Sequence, residues 1–381
     1  MVKADRLLGI INLDDDERSL CPLTTSRPLA TIPFGGRYRI IDFVLSNFVG
    51  AGVSTVGIFL KDRERSLMDH LRSGKPWDLD GNSGGLFMFS PYGTPSKIHD
   101  LQGDIMTIYN NRDFFHKAKE KYIVLSNTRM IANIDFSRVL DEHVNSGNDI
   151  TVIYKKFDKL SHYYDNAFVI NDDSEGRVKS FGIKIVKDYD SDSQDKAKVS
   201  LDMFIMEKNL FMKLIEDAVS VDQNVYLREV IQGACRDYNM YGYEYKGFIG
   251  FINSIKNYFE TSMDLLSEEN LMDLFYGENR IITKSKNESP AFYSKKSSVT
   301  NSLIGNGCTI EGEVKNSILF RRVRVEKGAR IENSIIMQNS IIRKDADLSN
   351  VILDKNVEVT EKAQIRGTKK NPLVIEKGSV V

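Results

Sequence analysis

Ile304-Gly305-Asn306-Gly307-Cys308-Thr309-Ile310 opens a stretch in which aliphatic residues return every six positions. The same step runs from Val325 to Ile331, from Ile335 to Ile341 and from Val351 to Val357. Gly305, Asn306, Gly307, Gly312, Asn316, Gly328, Asn333 and Asn350 stand at intervening corners. This is the hexapeptide pattern of a left-handed parallel β-helix, in which each coil stacks an inward aliphatic side chain on the next. A β-sandwich would instead show two-residue alternation and hairpin turns. Such a solenoid leaves open edges that commonly meet another subunit, so an oligomer is expected.

Upstream of residue 290 the texture differs. Short aliphatic runs at Leu7–Ile11, Val53–Leu60, Tyr122–Leu125 and Asp149–Tyr154 alternate with segments of mixed polarity, which predicts a parallel α/β sheet. Thr55–Leu60 reads as a strand covered on both faces, and Leu67, Met68 and Leu71 have helical spacing within Arg63–Leu71. Ser73–Thr94, rich in Gly, Asn, Ser and Pro and holding the single tryptophan, Trp77, reads as a long surface loop. The expected fold is α/β: a domain with a parallel α/β sheet over residues 1–285 and a left-handed parallel β-helix over 290–381, which suits a chain of 381 residues.

Lys plus Arg number 52 against 53 Asp plus Glu, a net charge of -1, which offers no electrostatic attraction for nucleic acid or an anionic membrane. Small molecules and proteins remain as partners. Cys21, Cys235 and Cys308 lack metal-ligand or disulfide spacing and read as ordinary core thiols of a reducing compartment. With early charges at Lys3, Asp5 and Arg6 and no long apolar run, the chain is expected in the cytoplasm.

The segment Pro22-Leu23-Thr24, Arg27, Pro33-Phe34-Gly35-Gly36-Arg37-Tyr38-Arg39-Ile40-Ile41-Asp42-Phe43, Leu45-Ser46-Asn47 closely resembles the N-terminal signature of ADP-glucose pyrophosphorylases (glucose-1-phosphate adenylyltransferases). The likeness continues through Gly103–Asp113, Val124-Leu125-Ser126, Phe181-Gly182-Ile183-Lys184, Tyr258–Leu265 and the hexapeptide tail, and so spans essentially the whole chain. It implies a Rossmann-like nucleotidyltransferase domain followed by a left-handed parallel β-helix. It also implies a reaction that joins ATP and glucose-1-phosphate into ADP-glucose and pyrophosphate for glycogen synthesis.

That chemistry needs a backbone cradle for phosphates and carboxylates for Mg²⁺. Where the family has a glycine-rich loop, this chain has Asp14-Asp15-Asp16-Glu17-Arg18-Ser19. One pair of like charges 4 Å apart costs about 1 kcal/mol even in water, so this acidic run opposes a triphosphate. It reads as a solvated acidic turn; as an Mg²⁺ site it would need near-octahedral geometry from adjacent residues that point apart. The resemblance further places Thr128, beside the cationic Arg129, and Phe251 at the family's two metal aspartates, and Leu29 at a lysine. Nucleotidyl transfer by this chain is therefore expected to be absent or very weak. It is expected to bind no cofactor, with Mg²⁺ in a catalytic partner.

Retained positions point elsewhere. Lys184 falls on the family's sugar-phosphate lysine, and Arg27 and Arg39, assisted by Arg37, fall near its phosphate-type effector site between the domains. The alternatives are a strand-end surface lysine and a solvated basic edge. Tyr38, Phe43 and Phe48 read as core. Together these features resemble most the non-catalytic GlgD-type regulatory subunit, which implies a heterotetramer with catalytic chains, a possible homo-oligomer when alone, and phosphorylated effectors. Two alternatives stand beside it: an active nucleotidyltransferase with metal on Asp14–Glu17, or a stand-alone sugar-phosphate sensor.

Overall fold

The computed structural model describes residues 7–13, 16–61, 65–81, 84–91, 103–157, 167–183 and 197–381. Of the expected site residues, Asp14, Asp15 and Lys184 lie outside these described residues.

The apolar runs of the first domain form strands β1 (Leu7–Asn12), β2 (Thr55–Phe59), β3 (Gly85–Phe89) and β4 (Tyr122–Ser126). Further along come β5 (Ile150–Phe157), β6 (Phe168–Asp172), β7 (Val178–Ile183), β8 (Ala197–Glu207) and β9 (Met240–Glu244). Among the described residues they make one sheet in the order β7-β6-β8-β4-β1-β2-β3, with β5 joining β8 to β9. The half β4-β1-β2-β3 is parallel, whereas β8 runs antiparallel to β4 and β5. The sheet is therefore mixed rather than wholly parallel. Both faces are covered, by one buried cluster that includes Ile11, Phe48, Val56 and Phe136 and a second that includes Ile10, Phe59, Phe115 and Phe211. This double cover is why the central strands carry unbroken apolar runs.

Two local readings need correction. Ser73–Thr94 is not a surface loop throughout, because Gly85–Phe89 pairs with Thr55–Phe59 and Trp77 is fully buried on a short 3₁₀ turn, Lys75–Trp77. Composition alone hid a strand whose partner among the described residues is non-local. In the helix Arg65–Leu71, Leu67 and Leu71 are buried but Met68 is half exposed.

The second domain is a left-handed parallel β-helix of three five-stranded sheets among the described residues. Its interior stacks Ile310, Val325, Ile342 and Val359 on one side and Val314, Ile331 and Leu348 on another. Asn316, Asn333 and Asn350 take the corners with φ of 46°, 46° and 52°, where an amide side chain tolerates the left-handed backbone. The inward pair in the third coil is Ile336 and Ile342 rather than Ile335 and Ile341. Ile335, stacked between Ile318 and Ile352, faces the other way, into a buried cluster with Leu23, Leu29, Ile32, Phe34, Phe43 and Tyr258 of the first domain. The β-helix thus has two apolar stripes, one for its own core and one that seals it to the first domain. At the seam Tyr258 donates its hydroxyl to the Pro33 carbonyl at 2.7 Å, and Phe43 and Phe48 are fully buried as expected.

Candidate functional site

Open α/β sheets present their ligand crevice at the carboxyl ends of the parallel strands. Here β1 and β4 end in Asn12 and in Leu125-Ser126, which line a cavity of about 640 Å³ with Asp16, Arg18, Lys61, Asp104, Arg129, Asp202 and Arg228. Cys21 also lines it and is exposed, unlike Cys235 and Cys308, which are buried as expected.

Each described acidic group lining this cleft has a hydrogen-bond or ion-pair partner. Asp16 takes Arg18 in a two-pronged contact, Nε at 2.9 Å and Nη2 at 2.7 Å, and this hydrogen bonding holds the carboxyl down at about 2. Glu17 accepts the Leu29 amide at 2.5 Å. Asp104 accepts the Leu227 amide at 2.6 Å and the side-chain amide of Asn12, while burial pushes its carboxyl above the usual range. Asp202 faces Arg228 Nε at 3.2 Å and accepts from Gln232 at 3.4 Å. Glu229 accepts the amide of Tyr226 at 3.5 Å in a capping box.

The two positions matched to the family's metal aspartates come together but do not face the cleft. Phe251 pairs with Met130 in a short antiparallel ladder, and the Ile252 amide donates to the Arg129 carbonyl at 2.8 Å. Phe251 is buried in the core and Thr128 is 1% exposed, whereas Asn127 and Arg129 on either side of Thr128 line the cavity. Among the described residues no group of three His, Cys, Asp or Glu side chains is placed to hold a metal ion. Magnesium demands several oxygens in near-octahedral array. The described cleft instead offers carboxylates tied to arginines and backbone amides, so these residues do not fit that ion.

A second cavity, of about 250 Å³, lies where the domains meet. The turn after Pro33–Phe34, with Gly35 and Gly36 at φ of 57° and 78°, reverses the chain so that Arg37 sits at the end of the turn and Arg39 on the returning strand of the hairpin. Lys284 and Lys286 come from the connecting segment, and Arg321 and Arg322 from a β-helix corner. Against these six cations the lining sets two carboxylates, Asp69 and Glu288. Glu288 lies 3.3 Å from Nε of both Arg321 and Arg322. Arg39 donates to the Ser66 carbonyl at 2.9 Å, and burial lowers the basicity of Arg39, Lys284, Lys286 and Arg321. Gln338 Oε1 is buried here without a hydrogen-bond partner. Crowded, half-desolvated cations are the setting in which a phosphate gains most from charge-assisted hydrogen bonds.

Of the residues expected at an effector site, Arg37 and Arg39 line this pocket and Arg27 does not. Arg27 is 3% exposed, donates Nε to the Leu23 carbonyl at 2.9 Å and is ion-paired with Asp354, so its guanidinium is consumed within the chain. Reasoning from the N-terminal motif missed Lys284, Lys286, Arg321 and Arg322. The Arg321-Arg322 doublet, at a corner where Arg322 has φ of 60°, was the available signal. No helix among the described residues is long and apolar enough to cross a membrane.

Comparison with known proteins accords with this architecture. Residues 18–263 match the nucleotidyl transferase family and residues 289–371 the GlmU-like C-terminal hexapeptide family. The chain is 37% identical to glycogen biosynthesis protein GlgD of Bacillus subtilis over 378 residues, 99% of this chain and 97% of the relative. It is 36% identical to GlgD of Geobacillus stearothermophilus, again over 99% of this chain and 97% of the relative. With the glucose-1-phosphate adenylyltransferase of Bacillus cytotoxicus it shares 30% identity over 336 residues, 87% of each chain. A full-length match to such proteins, on a nucleotidyltransferase sheet sealed to a hexapeptide β-helix, places the chain in the nucleotidyl transferase family, in the group that holds GlgD and the glucose-1-phosphate adenylyltransferases.

Proposed function

We propose that this chain serves glycogen biosynthesis as a regulatory subunit that does not itself transfer nucleotide, assembled with a catalytic glucose-1-phosphate adenylyltransferase chain in a mixed tetramer. The observation that carries the proposal is Asp16. The one described carboxylate of the former phosphate loop that opens on the cleft without a backbone amide to cap another segment is bound by Arg18. Nucleotidyl transfer depends on cations that neutralise developing negative charge and on acids free to hold them. In the described cleft Asp16 and Asp202 are paired with Arg18 and Arg228, and Glu17, Asp104 and Glu229 are taken up by amide donors. The retained scaffold supports a role in assembly, and the names of the relatives support the pathway.

The junction pocket supports the regulatory half of the proposal. Arg37, Arg39, Lys284, Lys286, Arg321 and Arg322 converge there from both domains, so a phosphorylated small molecule bound among them would press on the seam between the domains. The test measures ADP-glucose synthesis by a catalytic chain alone, by this chain alone and by the co-expressed pair, across phosphorylated effectors, with the size of each species. The expected result is a mixed assembly whose activity or effector response differs from that of the catalytic chain, and no turnover by this chain alone. A mixture that equals the catalytic chain under every effector defeats the regulatory reading, and turnover by this chain alone defeats the non-catalytic one.

A further inference from the structure

Two of the arginines lining the cleft, Arg18 and Arg228, are each met by a carboxylate of the same chain. Near the end of β1, Asp16 takes both prongs of Arg18, and Arg129 adds its positive field to the same carboxylate. Across the cavity Arg228 Nε lies 3.2 Å from Asp202. Asp202 stands within β8 at φ of 52°, a left-handed conformation natural to glycine, at the point where the pairing with β5 shifts register between Ser200 and Phe204. A side chain kept in that conformation has to be over-determined by its surroundings. Its side chain meets Arg228 and Gln232 among the described residues, and all three residues line the cavity.

We infer that Asp16, on both prongs of Arg18, and Asp202, beside Nε of Arg228, act as tethered anions at guanidiniums that the phosphates of a polyphosphate ligand would otherwise take, so that the cleft refuses such ligands. The physical basis is that a guanidinium fork accepts a carboxylate or a phosphate with the same geometry. A carboxylate on the same chain also has a high effective concentration, against which a dissolved phosphate competes poorly. The inference rests on the non-catalytic reading of the cleft, not on any partnership. It predicts a latent polyphosphate site that needs no metal and opens when the two carboxylates are withdrawn.

Binding of inorganic tripolyphosphate by the full-length chain in the presence of a chelator tests it, with Arg321→Ala and Arg322→Ala in every sample to weaken the junction pocket. Asp16→Asn is expected to raise cleft affinity about tenfold and Asp16→Asn with Asp202→Gly to raise it further. Adding Arg18→Ala is expected to abolish the first gain. The inference is overturned if the chain with both carboxylates intact binds as tightly as the double variant, or if the gain survives without Arg18. Should Asp202→Gly misfold, the Asp16→Asn and Arg18→Ala comparison decides alone, since the Asp16–Arg18 pair is largely exposed and removing it leaves the core untouched. Failure here leaves the co-expression assay unaffected, and failure of that assay leaves this binding result unaffected.

Discussion

Arg27 and Asp354 meet as a buried ion pair across the seam between the domains, their side chains 4% and 3% exposed. Arg27 also donates to the Leu23 carbonyl, and Asp354 accepts the Lys355 amide at 2.6 Å, so both charges are hydrogen-bonded as well as paired. Removing one partner strands the other charge away from water. Asp354→Ala is expected to cost about 3–5 kcal/mol, read as a fall in the urea midpoint, while Arg27→Met with Asp354→Leu costs far less. Equal stability of Asp354→Ala and the parent chain would show that the pair does not bind the domains together.

The junction pocket makes a separate prediction about anions. Arg322 is 61% exposed, and Arg37 is exposed with its guanidinium over the Tyr38 ring, 5.4 Å from the centroid, so neither holds the core. Arg322→Ala or Arg37→Ala is expected to weaken inorganic phosphate binding about tenfold while thermal stability stays put. The affinity of the parent is expected to fall as salt rises, since the attraction is electrostatic. Calorimetric titration at two ionic strengths measures both, and a salt-independent affinity would refute the assignment.

Acid stability should carry the mark of His143. Its ring is buried, with Nδ1 2.8 Å from the Thr151 hydroxyl, and burial pushes its pKa down to about 4. The folded state therefore favours the neutral ring. In the unfolded chain the ring takes up a proton near pH 6.5, so between about 6.5 and 4 the unfolded state binds more protons and stability falls as the pH falls. The whole window corresponds to about 3 kcal/mol. His143→Gln, which keeps a hydrogen-bonding group for Thr151, is expected to flatten the loss of Tm between pH 7 and pH 5; an unchanged slope would locate acid sensitivity elsewhere.

Trp77 is the only tryptophan of the chain and is fully buried, its ring edge-on to His70 with centroids 5.7 Å apart. His70 in turn contacts Asp42 at 2.5 Å and lines the junction pocket. Trp77→Ala is expected to cost about 3–5 kcal/mol through the cavity it leaves. In the parent, the emission of this residue should resist iodide quenching and change when phosphate is added. Quenching as efficient as that of a free indole would mean that Trp77 is on the surface after all.

Sequence alone determined the elements whose signal is local. A six-residue aliphatic step with amide and glycine corners can hardly fold as anything but stacked coils, and the runs at Leu7–Ile11 and Val53–Leu60 became central strands because continuous apolar sequence suits a strand buried on both faces. Tertiary structure decided what depends on distant partners. Gly85–Phe89 is a strand because Thr55–Phe59 lies beside it, and Ile335 faces outward because the first domain offers it an apolar bed. Arg27 and Arg39 sit twelve positions apart in one motif, yet Arg39 lines a pocket while Arg27 is consumed by a carboxylate 327 residues away. Apolar periodicity is written into neighbouring residues, whereas the role of a charge is settled by whichever opposite charge the fold brings to it.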